Sequence, residues 1–539
     1  MPDYKLPFVQ SSFRSGMYDR PSLLLPPNYC QNIENMIVDR DTLKSRGGLA
    51  AFANGYSYPG EIQGIHQFWD NTGDTALVVV SEGRVFRYDF DGANPTELTA
   101  PTLSTSADAR YVFRNYDGGC YFTDGVNPMC YIPSLTANVA LFSTLGPDVP
   151  GRASAFEVFE NSFWWGNFKD WDDAATERQY GTIHSVITKP EEYRADQGAR
   201  NDHDRQMQVQ ALLKHGGDLL ILQERGIRYA TLDPAPGSIG SARTSYFYKG
   251  VTEEFENRGL VAPLGAAQSR RGTFIVDRPG IHQIPPGNPP QKPQYVSLPI
   301  ETFWRTVNQN RLKYAVAARI PEQNGILVCV TVGNSAAQNN RAVFFNVEAW
   351  TDRGGDIEDV HPAFSIFKGP DSRAFSFNAL ATIVDPEGTP AYRQRCIGGD
   401  YNGKLFYIDQ GATDVGTDIV CKWKGPRFGN PMREIHWDEY LLEISLEATK
   451  TIQVTQHNYN RAMTDYTQVG QAPAASTPLG LFMLGTDTLG GATMGTLPFP
   501  MVEESRYVEM EHTVLAGSVP ITVHQSTIKG SPGMAGTGT

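Results

Sequence analysis

The chain has 539 residues, enough for two to four domains or for one large repetitive domain with appendages. Apolar residues make up 40% of it and charged residues 19%, which excludes wholesale disorder. The formal net charge of −13 argues against nucleic acid as a general surface ligand, because phosphate binding needs a basic face. With 52 glycines, 36 prolines, 24 tyrosines and 27 phenylalanines, the composition favours many short strands joined by tight turns over helices.

The first residues, MPDYKLPFVQSS, contain no basic region followed by an apolar core, so no signal peptide is expected. No apolar run reaches the length of a bilayer span, so no membrane insertion by this chain is expected either. Residues 32–52, NIENMIVDRDTLKSRGGLAAF, alternate briefly, reach the charged turn Lys44-Ser45-Arg46 and end in Gly47-Gly48. Residues 1–55 therefore read as an N-terminal arm with leading strands.

From residue 56 onward one grammar recurs: a strand, a turn, an apolar strand, a second turn and an outer strand. Residues 75–89 turn at Glu82-Gly83, and residues 110–132 turn at Asp117-Gly118 and Asp124-Gly125. Further turns fall at Glu160-Asn161, Gly216-Gly217, Arg225-Gly226, Arg271-Gly272, Pro279-Gly280, Asn324-Gly325 and Asn402-Gly403. About seven units result, each roughly 40–55 residues from the next. A small antiparallel sheet cannot bury both faces alone, but copies packed face to face around an axis can, so an all-β fold with a β-propeller over 56–417 is expected. The best helical candidate is residues 300–313. After 418 the strands lengthen, and 418–527 reads as a smaller C-terminal antiparallel β-domain, with 528–539 as a flexible tail.

The search for chemistry is mostly negative. Residues 398–404 match GxxxxGK, yet Leu405 replaces the magnesium-holding Ser or Thr and a strand follows instead of a helix, so a hairpin turn is expected. Asp89, Asp91 and Gly92 resemble part of a calcium loop but lack its later Glu. The six cysteines show no CxxC and no zinc spacing, and the ten histidines form no ligand pair. Cys120 and Cys130 flank a hairpin and would be placed to pair in an oxidising compartment; with nothing marking secretion, buried free thiols are expected. One cluster, Trp164, Trp165, Asp170, Trp171, Asp172 and Asp173, sets aromatic faces beside carboxylates and suggests a carbohydrate-binding or carbohydrate-cleaving propeller as the alternative. That alternative requires two carboxylates about 5–10 Å apart at the propeller axis. A scaffold propeller of the WD type is disfavoured, since no Gly-His and Trp-Asp pair recurs at fixed spacing. No catalytic residue, cofactor or metal site is assigned.

Residues 32–49 carry an Asn-rich strand, Asn32-Ile33-Glu34-Asn35, then Leu43-Lys44-Ser45-Arg46-Gly47-Gly48-Leu49. This stretch resembles the first strands of the β-propeller tail proteins of tailed bacteriophages, the nozzle, tail tubular protein B and head-to-tail stabilisation group. GTIHSVITKPEEY, LLILQERGIRYA and NRGLVAPLGAAQSRRGTFIVDRPGIHQI are similar to later strands of that group, in the same order, although His184 stands where Trp is expected. The likeness runs from Asn28 to about Gln525, and Asn32, Asn35, Arg46, Gly47 and Gly48 are its motif residues. It implies a non-catalytic virion protein of the tail or neck, assembled in the host cytoplasm as a ring, most simply a hexamer. Its implied partners are a portal-side adaptor and other tail proteins, with genomic DNA passing through the ring unbound. An acidic chain repeated around such a ring would repel phosphate, and its subunit contacts would be heterologous.

Overall fold

The computed structural model describes residues 6–19, 25–90, 94–106, 108–144, 149–169, 176–193, 200–203, 207–233, 245–250, 258–351, 361–369, 375–386, 393–429, 435–446, 450–459, 463–472, 494–501, 504–515 and 521–532. Local turn chemistry sets its pattern. Glu82-Gly83, Asp117-Gly118 and Glu160-Asn161 each place two successive residues at positive φ. That is the type I′ geometry, whose twist matches that of the strands it joins. The turns connect Thr75–Ser81 to Arg84–Asp89, Val112–Tyr116 to Gly119–Thr123, and Arg152–Phe159 to Ser162–Lys169.

The fold is all-β and built from small sheets. Five four-stranded antiparallel sheets follow one another over 62–98, 112–141, 152–202, 209–250 and 266–295. Two further four-stranded runs belong to larger sheets: 316–367, and 379–408 completed by Leu49–Ala51. The second strand of a sheet is buried along its length, as in Asp218–Gln223, Gly272–Val276 and Gly325–Val330. A strand with no exposed alternate position has a neighbour on both faces of its sheet.

The cores show which neighbours these are. Val78 and Phe122 share one cluster between the first and second sheets, and Tyr121 and Phe156 share the next. Trp164 with Ile221 and Leu222 with Ile275 continue the series. Phe274 packs with Phe345, Leu327 with Cys396, and Ile397 with Leu77 of the first sheet. The series closes on itself, so the arrangement is propeller-like. Each fully buried Leu, Ile or Phe contributes about 1.5–3 kcal/mol.

The expected arm is not a separate element. Met36–Asp39 pairs with Thr42–Ser45, which pairs with Ile521–Pro532, and Leu6–Gln10 lies on the same C-terminal strand. Asn32–Glu34 lies between His361–Phe367 and Cys421–Lys424. The sheet that starts with Val316–Ile320 therefore continues through Tyr507–Leu515 and Lys450–Tyr459 to Met463–Ala472, ten strands in all. It faces a seven-stranded sheet built on Ile435–Leu446 and Ile521–Pro532, over a core containing Trp423, Trp437, Tyr440 and Met510.

Other expectations need correction. Residues 300–313 form only a turn of α-helix, Glu301–Trp304, with 3-10 turns at Leu298–Ile300 and Leu312–Tyr314. The α-helix stops at Trp304; four residues on, Asn308 gives its N–H to Thr331 and accepts the N–H of Asn310 on its side chain. Residues 528–532 belong to the last strand, which runs to Pro532, and the rest of the expected tail lies outside the described residues. Two expectations hold: all six cysteines, Cys120 and Cys130 included, are free and buried, and residues 398–404 form a hairpin turn. The GxxxxGK look-alike is a turn between Arg393–Gly399 and Leu405–Ile408, in which only Gly403 is left-handed. Asp400 accepts the N–H groups of Asn402 and Lys404, while the Lys404 ammonium bonds the Gly55 carbonyl. The lysine that a phosphate-binding loop would use is thus already engaged.

Candidate functional site

The five motif residues of the leading segment converge, four of them on one buried polar knot. Asn35 sits at φ 56°, a left-handed conformation that Asn tolerates better than most residues. This turns the chain out of Asn32–Glu34, and the hairpin that follows returns it to Arg46. The Arg46 guanidinium, 1% exposed, meets the Asp414 carboxylate, 3% exposed, with both oxygens engaged at 2.8 and 2.5 Å. Arg46 Nε donates to Asn35 Oδ1 at 3.0 Å, and its Nη atoms reach the carbonyls of Gly47 and Lys368. Phe367 and Phe375 cover the guanidinium plane at 5.5 and 4.9 Å. A planar five-donor fork suits this site, where a lysine ammonium, a compact charge with three donors, could not reproduce the bidentate geometry.

Asn35 carries the remaining threads. Its Oδ1 also accepts the Lys368 N–H at 2.8 Å, and its Nδ2 donates to the Val420 carbonyl at 2.9 Å. The knot thus ties three parts of the chain: the sixth sheet at Lys368, the seventh at Asp414, and the C-terminal strands at Val420. Gly47 and Gly48 are required by proximity. A Cβ on Gly47 would stand 2.7 Å from the Asp409 carbonyl carbon, and one on Gly48 would penetrate the Thr413 carbonyl. The Asp409 carboxyl, raised above its usual range by burial, accepts the Gly47 N–H at 2.7 Å and a Gln323 amide. Asn32 lies at the edge of the group and bonds Glu34 at 3.1 Å.

A second feature is a cavity of ≈ 270 Å³ lined by the innermost strands of all the sheets around the ring. Gly64, Ala155, Ala211, Ala266, Ala317 and Ala379 give it small walls. Its polar lining includes His66, bonded to Asn115 at 3.0 Å, and Arg114, paired with Glu157 at 2.8 Å. Burial pushes the His66 pKa down to about 4, so the ring is neutral near pH 7. None of the residues lining the cavity is a carboxylate.

Of the six residues of the carbohydrate cluster, two are among the described residues. Trp164 and Trp165 are both fully buried. Trp165 donates to the Tyr193 hydroxyl at 2.5 Å, and Trp164 lies tilted against His184 at 4.7 Å between centroids. Neither presents a face to a sugar. Asp170, Trp171, Asp172 and Asp173 lie outside the described residues. His184 has its pKa lowered to about 4 by burial and packs against Trp164 as a neutral ring.

Sequence reasoning located one half of the knot and missed the other. Asp414 sits in ATDVGTD, a stretch that reads as an ordinary polar turn, and its partner is 368 positions away. No local pattern signals such a pair.

No protein-family model matches the chain, and no curated protein matches it. Solved structures do. A computationally designed protein, Ika8, aligns at 11% identity and a TM-score of 0.33 over 66% of this chain and 97% of its own. YCF48 bound to a D1 peptide aligns at 12% and 0.36 over 68% and 99%. An extracellular domain from B. thetaiotaomicron, assigned to a one-component system, aligns at 10% and 0.38 over 82% and 58%. Likeness at this level leaves the architecture to be read from the sheets themselves.

Proposed function

We propose that this chain is a structural protein of a bacteriophage tail or neck, a seven-bladed β-propeller joined to a C-terminal β-domain, that assembles as a ring around the DNA exit channel. The supporting observation is where the motif residues lie. The stretch that resembles the phage group is the stretch that ties propeller-like sheets to C-terminal strands, through Asn35, Arg46 and Asp414. A segment with that task is constrained by the whole architecture, which accounts for a recognisable motif without catalysis.

The cavity at the centre of one copy is far narrower than duplex DNA, so a DNA channel in this reading runs between copies. Seven blades follow if 316–367 and 379–408, the latter closed by Leu49–Ala51, count with the five four-stranded sheets. The ring is most simply a hexamer, with a portal-side adaptor and other tail proteins as neighbours. The net charge of −13 per copy disfavours trapping of passing phosphates. The carbohydrate reading loses its support at Trp164 and Trp165 and is not retained.

Mass photometry with negative-stain imaging tests the proposal. A ring near six copies, formed alone or on addition of portal-side extract components from the same virion, is the expected result. A chain that stays monomeric under both conditions and binds a glycan array would overturn it.

A further inference from the structure

The longest open sheet edge in the described structure is the strand Met463–Ala472. It pairs with Lys450–Tyr459 in an unbroken register of ten residues, with no bulge, and no strand is paired on its other side among the described residues. Such an edge presents a row of unpaired N–H and C=O groups and invites another strand. Proteins usually blunt such edges with lysine, proline, bulges or shortness. Three outer strands of the propeller-like sheets are blunted in this way: Thr96–Leu98, Ala140–Leu141 and Gln294–Tyr295 have two or three residues each. Met463–Ala472 shows none of these devices; its sequence MTDYTQVGQA contains neither Lys nor Pro.

Two more observations mark this flank. Val469, on this strand, is 63% exposed, more than any other exposed large apolar residue described. The edge of the facing sheet, Met494–Pro500, runs beside it, with Gln468 donating to the Pro500 carbonyl. Charge then indicates which partner fits. Two copies of a chain carrying −13 repel each other, so they meet where charge is least. The two edge strands together carry a single charge, Asp465, and that carboxylate already faces His457 at 2.7 Å.

From this geometry we infer that Met463–Ala472 is a subunit interface, at which a strand of a second copy of this chain adds to the sheet edge. The mode is β-augmentation: main-chain hydrogen bonds supply affinity, and Val469 is covered. The inference rests on the ring reading above and gives it a contact.

The test is the double substitution Thr467→Lys and Val469→Lys, compared by mass photometry with the wild type and with Val126→Lys, which places a lysine on a turn 51% exposed in the second sheet. Expected are wild-type and Val126→Lys rings, and at least a tenfold lower ring population for the double variant at an unchanged melting temperature. Rings from the double variant as abundant as from the wild type would overturn the interface and leave the ring reading standing. A wild type that never assembles would overturn both. If the lysines lower the melting temperature, amide hydrogen exchange on wild-type rings decides. Protection at every amide of 463–472 supports the interface, whereas alternating protected and fast amides, as on an open edge, overturns it.

Discussion

Replacing Arg46 with alanine removes five hydrogen bonds and leaves the Asp414 carboxylate, 3% exposed, without its counter-ion. Removing one partner of a buried pair costs about 3–5 kcal/mol. Unfolding entropy near the melting point is about 2.1 cal/mol/K per residue, so 539 residues melting together carry about 1.1 kcal/mol/K. The melting temperature then falls by about 3–5 °C. If the C-terminal strands and leading segment, about 200 residues, melt first, the same loss acts on about 0.4 kcal/mol/K and an early transition drops by about 7–12 °C. Differential scanning calorimetry reads both cases. Arg46→Lys should restore little, since one ammonium cannot meet both Asp414 oxygens in the guanidinium geometry. The pair Arg46→Met with Asp414→Leu should recover most of the loss, because the buried charge is gone from both sides. An Arg46→Ala protein melting within about 1 °C of wild type, or a double variant as damaged as the single, would refute this account of the knot.

Asn35→Gly keeps the left-handed backbone but loses the side-chain bonds to Arg46, Lys368 and Val420, while Asn35→Ala loses both; denaturant melts should show a larger loss of stability for alanine, by about 1 kcal/mol. Trp165→Ala should cost about 3–5 kcal/mol in denaturant melts, with no change in glycan binding, because the indole is wholly buried. Burial holds His66, His184 and His512 neutral with pKa values of about 4, 4 and 3, below the unfolded value near 6.5. Their stabilisation is complete above pH 6.5 and lost as pH falls toward those values, so acid melts should begin well above the carboxylate range. His457 behaves oppositely: Glu511 and Asp465 raise its pKa, so its contribution is full below 6.5 and fades as pH rises through the raised value, and His457→Gln should flatten that alkaline-side loss in melts from pH 6 to 8.

The hairpins were legible because their information is local. Glu82-Gly83 and Asp117-Gly118 announce a turn whatever the rest of the chain does, and the buried run between two turns announces a strand with neighbours on both faces. The helical misreading at 300–313 has the same origin. Ile300, Trp304, Val307 and Leu312 are buried as the spacing predicts, yet Asn308 offers the backbone a competing turn. Strand partners far apart in sequence left no local trace. Leu49–Ala51 completes a sheet made some 350 residues later, and Ile521–Pro532 pairs with both Leu6–Gln10 and Thr42–Ser45. The buried pair was half visible for the same reason: Arg46 stands in a motif, and Asp414 stands in a polar turn.

The ten-stranded sheet shows why a single asparagine matters so much. Between His361–Phe367 and Asn32–Glu34 the ladder thins to one registered pair, Glu34 with Ile366. A sheet joined by so little backbone would bend or part there. Asn35 follows at once, giving its own N–H to the Ile366 carbonyl at 2.9 Å and its side chain to Lys368 and Val420. The Lys368 ammonium adds an ion pair to Glu34 at 2.5 Å. Side chains thus take over where the ladder fails, and they do so beside the Arg46–Asp414 pair. Innermost strand and outer edge consequently belong to one hydrogen-bonded sheet, from Val316–Ile320 at the central cavity to Met463–Ala472. A neighbour pairing at that outer edge would be held by the propeller-like body itself, without a flexible linker between. Loosening the knot at Arg46 should therefore weaken assembly as well as melting, although Arg46 lies in a different part of the sheet from the inferred interface.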